Sequence, residues 1–267
     1  MQLNTVLFDM DGLLIDSEPL WQEAGLEALA QFGISLTEEQ YDNTKGLRTP
    51  EWLEHWFRLY KVSMVHAPEA ITFIEDTARE KIRTKGIVMP GVDYILPFFA
   101  ERNFNIAIAS SSPMKLIDVV VEKLEIAHYL KAKVSAEKLP YGKPHPQVFM
   151  EAAQQLGVQP TQCIVFEDSF NGMIAAKAAK MKCVMVPAPQ EHYKNRWDAA
   201  DCKLESLADF TEKELEVLGG DFFLKGAMFF SLRLDSECNL RRNETASSQY
   251  KYIFTAETRR RRVILLE

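Results

Sequence analysis

The chain has 267 residues, 47% of them apolar, enough for one substantial domain and a smaller insert. Its formal net charge is −7; residues 218–267 hold 9 Lys/Arg against 6 Asp/Glu and carry +3, so residues 1–217 carry −10, which argues against a nucleic-acid partner and leaves an anionic ligand in need of a metal or a few placed cations. No run of about 18 apolar residues could span a bilayer, no charged-then-apolar leader opens the chain, and the four cysteines form no CxxC, so a cytoplasmic protein with buried free thiols at Cys163 and Cys183 is expected.

Thr5–Phe8 is the first of several short, largely apolar runs that are apolar on both faces; 104–109, 163–166 and 183–187 are the others. Strands covered on both faces of a parallel sheet have this pattern. Between residues 8 and 104 no further strand is expected. Ser17 is placed to cap a helix running to Phe32, with Gly33 as its stop. Thr49-Pro50-Glu51 starts a second helix, and Trp52 and Trp56 belong to its buried side. Ile71, Phe73, Ile74, Ala78 and Ile82 mark a third, and Met89-Pro90-Gly91 breaks the pattern. Residues 16–87 are therefore expected to form a helical cap inserted behind the first strand, at the end of the sheet where open α/β folds bind ligands. Later helices over 114–124, 146–156 and 170–181 alternate with the strands. The predicted fold is α/β, a doubly wound parallel sheet built from 1–15 and 88–217. From residue 218 no period survives, and an atypical tail of low order is expected, with the basic run 259–262 a solvated face.

Phe8-Asp9-Met10-Asp11-Gly12 follows the first strand directly. Aspartate is disfavoured in strands and costly near a core, so two on one side of an extended chain call for a reason. Glu167-Asp168 follows the strand at 163–166 in the same way, although Asp168 or Ser169 could also serve as a helix cap. Strand ends of a parallel sheet share one edge, so Asp9, Asp11, Glu167 and Asp168 should converge. Together they would repel one another without a cation, and an all-oxygen set selects a hard one such as Mg²⁺. Ser110-Ser111-Ser112-Pro113 offers hydroxyl and N–H donors at another strand end. Lys143, fixed between Gly142 and Pro144, offers a placed positive charge; His145 beside it suits a helix start.

These motifs, ordered as Asp9-Met10-Asp11-Gly12, Ser110, Lys143 and Glu167-Asp168, resemble the haloacid dehalogenase superfamily in its helical-capped branch, over roughly residues 3–215. The stretches 9–21, 46–48, 135–148, 167–173 and 186–189 resemble its sugar-phosphate phosphatases, and Lys45-Gly46 resembles the cap loop of the related phosphosugar mutases. The resemblance implies a magnesium-dependent phosphatase acting on small phosphorylated metabolites, such as 2-deoxyglucose 6-phosphate or hexitol phosphates; a monomer with no nucleic-acid or membrane partner is expected. It implies that Asp9 is the nucleophile and a metal ligand. Asp11 is then the acid/base, its carbonyl on the metal; Ser110, Ser111 and Lys143 hold the phosphoryl group; and Asp168 completes the metal site with Glu167 in or beside it. Lys45, Gly46, Arg48, Glu18 and Trp21 are the expected substrate contacts from the cap. A phosphosugar mutase and a non-catalytic phosphometabolite-binding protein are the alternatives.

Overall fold

The four residues of β1 (Thr5–Phe8) have no exposed side. Val6 and Phe8 enter a core with Phe99, Phe166 and Phe210, while Leu7 joins Phe149, Val165 and Cys183 in a second one. Burial on both faces is what removes the polar alternation from this strand. The computed structural model describes residues 2–42, 44 and 47–220; Lys45, Gly46 and the expected tail from 221 onward lie outside the described residues.

After β1 the chain forms β2 (Ile15–Asp16), α1 (Glu18–Ala30), α2 (Glu38–Asp42), α3 (Thr49–Leu59) and α4 (Ala67–Lys85). It returns through β3 (Ile87–Val88), which pairs antiparallel with β2, so the stretch between residues 8 and 104, expected to hold no strand, contains a two-stranded ribbon whose strands of two residues are too short to show a period. Then follow α5 (Val92–Glu101), β4 (Asn105–Ser110), α6 (Met114–Lys123), β5 (Ala132–Ser135), α7 (Gln147–Gln155), β6 (Cys163–Glu167), α8 (Phe170–Ala178), β7 (Lys182–Met185), β8 (Cys202–Lys203) and α9 (Glu212–Gly219). Six parallel strands form one sheet in the order β5-β4-β1-β6-β7-β8. This is the expected doubly wound α/β architecture, with α1 and α3 packed on α4 between the first two sheet strands in sequence.

The differences from the sequence reading have physical causes. β5 and β8 went unpredicted because edge strands are covered on fewer sides; in Ala132-Lys133-Val134-Ser135 only Val134 is buried, so no apolar run announces it. α5 was hidden behind Pro90-Gly91 and contains Pro97, yet Val92, Ile95, Leu96, Phe98 and Phe99 are buried together on one side of it, and that burial outweighs the proline penalty. α9 runs past residue 217: Leu218 is buried in the main core and Gly220 closes the helix in the left-handed conformation, so 218–220 belong with the preceding residues rather than with the tail. Among the described residues no helix is long and apolar enough to cross a membrane. Cys163 and Cys183 are buried free thiols, as expected.

Asp201 ties the start of β8 to its neighbours, accepting from Lys177 Nζ at 2.5 Å, the Cys183 N–H at 2.9 Å and Lys182 Nζ at 3.2 Å. Burial pushes its pKa up, but the Lys177 bond, the Cys183 N–H and Lys182 together hold it below the ordinary 3.8. A folded pKa below the unfolded one stabilises fully above the unfolded value and fades as pH falls through the folded value. Asp201→Asn is therefore expected to cost about 1–2 kcal/mol at pH 7 and progressively less below pH ~4, read by urea denaturation at the two pH values.

Candidate active site

Parallel pairing of four adjacent strands sets the site. β1 delivers Asp9 and Asp11, β4 ends at Ser110 with Ser111 and Ser112 after it, β5 leads into the loop that carries Lys143, and β6 ends at Glu167 with Asp168 next. All four carboxyl ends lie at one sheet edge, where the backbone turns outward and leaves room for a ligand.

Lys143 is 2% exposed, and its Nζ lies 2.5 Å from Asp9 Oδ1 and 2.5 Å from Glu167 Oε1. Burial alone would pull the ammonium pKa down; Asp9 and Glu167 outweigh it and hold the pKa above the ordinary lysine value, so Lys143 stays charged. The other oxygen of Glu167 accepts from the N–H groups of Asp168 and Ser169, both at 3.1 Å, and from Ser169 Oγ at 3.0 Å. Glu167 thus fixes both the lysine and the start of α8, where the Ser169 hydroxyl caps the Gly172 N–H at 3.0 Å. Two glycines allow this packing. A Cβ on Gly172 would overlap the Glu167 carboxylate, and Gly12, at φ +75°, would drive a Cβ into Asp168 Oδ2.

Asp9, Glu167 and Asp168 each offer an oxygen, and these oxygens all lie within 4.8 Å of one another. Burial pushes Asp9 up to about 8 against the pull of Lys143, with Glu167 and Asp11 adding to the rise. Asp168 is also raised, first by burial and then by Glu167, Asp9 and Glu18. Lys143 alone does not bring Asp9 or Asp168 back to the ordinary carboxylate range. The donor set therefore fits a hard divalent cation such as Mg²⁺, and because Glu167 is already committed to Lys143 and three donors just before α8, Asp9 and Asp168 are the better placed ligands.

Asp11 stands apart from that cluster. Its Oδ1 accepts from Ser17 Oγ at 2.6 Å and Trp21 Nε1 at 2.8 Å, and its Oδ2 from Ser112 Oγ at 2.6 Å. One expectation is corrected here, and two side chains gain a partner. The Ser17 hydroxyl does not cap α1 but holds Asp11. Trp21, expected to meet substrate, also orients the carboxylate. Ser112, read only as part of a Ser-rich turn, is a third holder, and is itself fixed because its carbonyl accepts from Ser135 Oγ at 2.6 Å and its N–H donates to Ser110 Oγ at 3.1 Å. The clue in the sequence was the three consecutive serines; which of them reaches Asp11 is a matter of strand twist and register.

A cavity of about 80 Å³ opens on these groups. Asp9, Asp11, the three serines, Lys143 and Asp168 form its floor, and Glu18, Trp21, Tyr41, Thr44, Leu47 and Trp52 belong to its other walls. Glu18 and Trp21, expected to contact substrate, thus line the cavity. Trp52, expected to be core, is 8% exposed and also a cavity wall. Arg48, expected to touch substrate, does not line the cavity: its guanidinium donates to the carbonyls of Ala136 and Leu139. Lys45 and Gly46 lie outside the described residues. His145 Nδ1 accepts from the Gln147 N–H at 3.2 Å, a helix-start role as expected.

Residues 6–186 match the family described as haloacid dehalogenase-like hydrolase. Hexitol phosphatase B of Escherichia coli K12 is 38% identical over 215 residues, which are 80% of this chain and 97% of that protein. A fructose-1-phosphate phosphatase of the same strain is 31% identical over 188 residues, 68% of this chain and 95% of its own length. Among solved structures, a β-phosphoglucomutase from Clostridium difficile superimposes with a TM-score of 0.74 at 21% identity, covering 84% of this chain and all of its own, and so shares the fold. With the motif residues gathered at one sheet edge and the match spanning most of the described chain, the protein belongs to the haloacid dehalogenase-like hydrolase family.

Proposed function

We propose that this chain hydrolyses small sugar or sugar-alcohol phosphates through a phosphoaspartate on Asp9, with Mg²⁺ at the Asp9–Asp168 end of the acidic cluster. The observation that carries the reading is the buried ammonium of Lys143 held between Asp9 and Glu167, beside a separately held Asp11. That arrangement pairs a nucleophile with a positive charge and sets an acid/base next to it, which binding alone would not require. The sugar-phosphate phosphatases among its relatives support the substrate class.

In this mechanism an Asp9 oxygen attacks phosphorus while the bond to the leaving oxygen breaks, and the leaving alkoxide takes a proton from Asp11. Water then attacks the phosphoaspartate, Asp11 recovers the proton, and Asp9 and inorganic phosphate are released. The hydroxyls of Ser17 and Ser112 can turn from donor to acceptor, so one geometry serves both protonation states of Asp11. Bound between Asp9 and Asp168, Mg²⁺ would supply positive charge to the phosphoryl oxygens and to the nucleophile. Lys143 adds to that charge, and Ser110 with the Ser111 backbone holds the phosphoryl group. General acid catalysis by Asp11 supplies about 10²–10⁴-fold. Orientation of Asp9 in line is worth roughly 7–11 kcal/mol, and the remainder of a barrier reduction that can exceed about 20 kcal/mol falls to electrostatic stabilisation in a closed site. Residues 16–87 act as the cap that excludes water, over a core of 1–15 and 88–217.

The test is a phosphate-release screen over phosphorylated sugars, polyols, nucleotides and glycolate. Magnesium-dependent release is expected, abolished by EDTA and restored by added Mg²⁺; full activity in EDTA would remove the metal from the proposal. Isomerised sugar phosphate without net release would identify a mutase instead, and no turnover of any ester would leave a binding protein.

A further inference from the structure

We infer that Arg48 is a positioning residue, a strut that joins the segment before α3 to the loop carrying Lys143. Its side chain is 14% exposed, and its Nη1 donates to the carbonyls of Ala136 at 3.1 Å and Leu139 at 2.6 Å. Its Nη2 pairs with Glu51 Oε1, and Glu51 in turn accepts from the Arg48 N–H at 3.4 Å. The pair is thus locked to the first turn of α3 at one end and to the β5–α7 connection at the other.

The far end of the strut presses on the residue before Lys143. A Cβ built on Gly142 would lie 2.8 Å from Arg48 Nε and 2.8 Å from Glu51 Oε2. Arg48 Nε is buried without a hydrogen-bond partner, so this nitrogen gives up a bond to lie against Gly142. Such a placement makes sense when the close approach itself is the purpose. The guanidinium satisfies loop carbonyls that a free loop would turn to water, and it holds residues 136–142 in the course that points Lys143 at Asp9. Because Arg48 lies in the segment between β1 and β4 that we assign to the cap, the strut also makes the lysine's position depend on that segment being docked. Arg48 contacts neither the cavity nor the metal cluster, so it acts through Lys143.

The inference rests on the proposed role of Lys143, and the experiment separates the two. Wild type is first assayed on p-nitrophenyl phosphate, which has no sugar to recognise, and on a hexitol phosphate; turnover of these establishes the phosphatase reading by itself. Arg48→Ala, Gly142→Ala and the double variant are then compared, with thermal melting to confirm folding. The strut predicts that Arg48→Ala lowers kcat by about tenfold on both substrates alike, because a displaced lysine affects every phosphoryl group. It also predicts that Gly142→Ala is harmful in wild type but much less so once Arg48 is gone, since the remaining neighbour, the Glu51 carboxylate, is then released by its partner and free to move aside. A loss confined to the hexitol phosphate and expressed in KM would make Arg48 a substrate ligand. Additive effects of the two changes, or an unchanged kcat in a folded Arg48→Ala variant, would equally overturn the strut.

Discussion

Asp9→Asn is expected to fold, to melt no lower than the parent protein, and to release phosphate slower by on the order of 10⁴-fold or more. The change keeps the shape of the side chain while replacing the anionic carboxylate that attacks phosphorus by an uncharged, weakly nucleophilic amide. It also removes one of the crowded carboxylates, and Lys143 keeps its 2.5 Å bond to Glu167, so the buried ammonium is not left without a partner. That combination, intact stability with lost turnover, is what distinguishes a nucleophile from a structural residue. A second readout follows from the metal cluster: added Mg²⁺ should raise the melting temperature of the variant less than that of the parent, because one ligand has lost its charge. Wild-type turnover by correctly folded Asp9→Asn would end the mechanism.

Lys143→Met carries the other large effect, and here stability and activity should fall together. The methionine fills similar space but leaves Asp9 and Glu167 facing each other in a buried position with no intervening charge. Breaking a buried pair from one side costs about 3–5 kcal/mol. Loss of the positive charge from the phosphoryl site should lower kcat by a further factor of roughly 10²–10³. Lys143→Arg is not expected to recover either property, since a planar guanidinium cannot occupy a point that is 2.5 Å from one oxygen on each of two carboxylates in the same way. Urea titration and phosphate release on the purified variants test both halves; a Met variant as stable as the parent would show that other groups compensate Asp9 and Glu167.

The parts of this protein that the sequence disclosed share a physical property: each is fixed by local chemistry. β1 was legible because burial on two faces excludes polar residues from the strand, and β6 for the same reason. Asp9, Asp11, Glu167 and Asp168 stood out because carboxylates at the ends of such strands need compensation, and Lys143 because Gly142 and Pro144 restrict it. β5 was not legible, since only Val134 in it is buried. The cap-side contacts were the least legible: that Arg48 bonds the carbonyls of Ala136 and Leu139, that Trp21 bonds Asp11 and that the core residue Trp52 also lines the cavity could not be read, because side chains this long can reach either a ligand or a neighbouring segment, and the choice is made by residues far away in the chain.

The sequence by itself determined the chemical inventory: four carboxylates, a serine turn and a lysine, each at the end of a strand or in the loop after one, in a doubly wound sheet. Those assignments depend on residue type and on neighbours within a few positions, which one strand of sequence contains. Tertiary structure alone decided who holds whom: Ser17, Trp21 and Ser112 on Asp11, Glu167 on Lys143, and Arg48 on the loop beside it. These are hydrogen bonds between groups up to 101 residues apart, and they depend on sheet order and register, which no local pattern encodes.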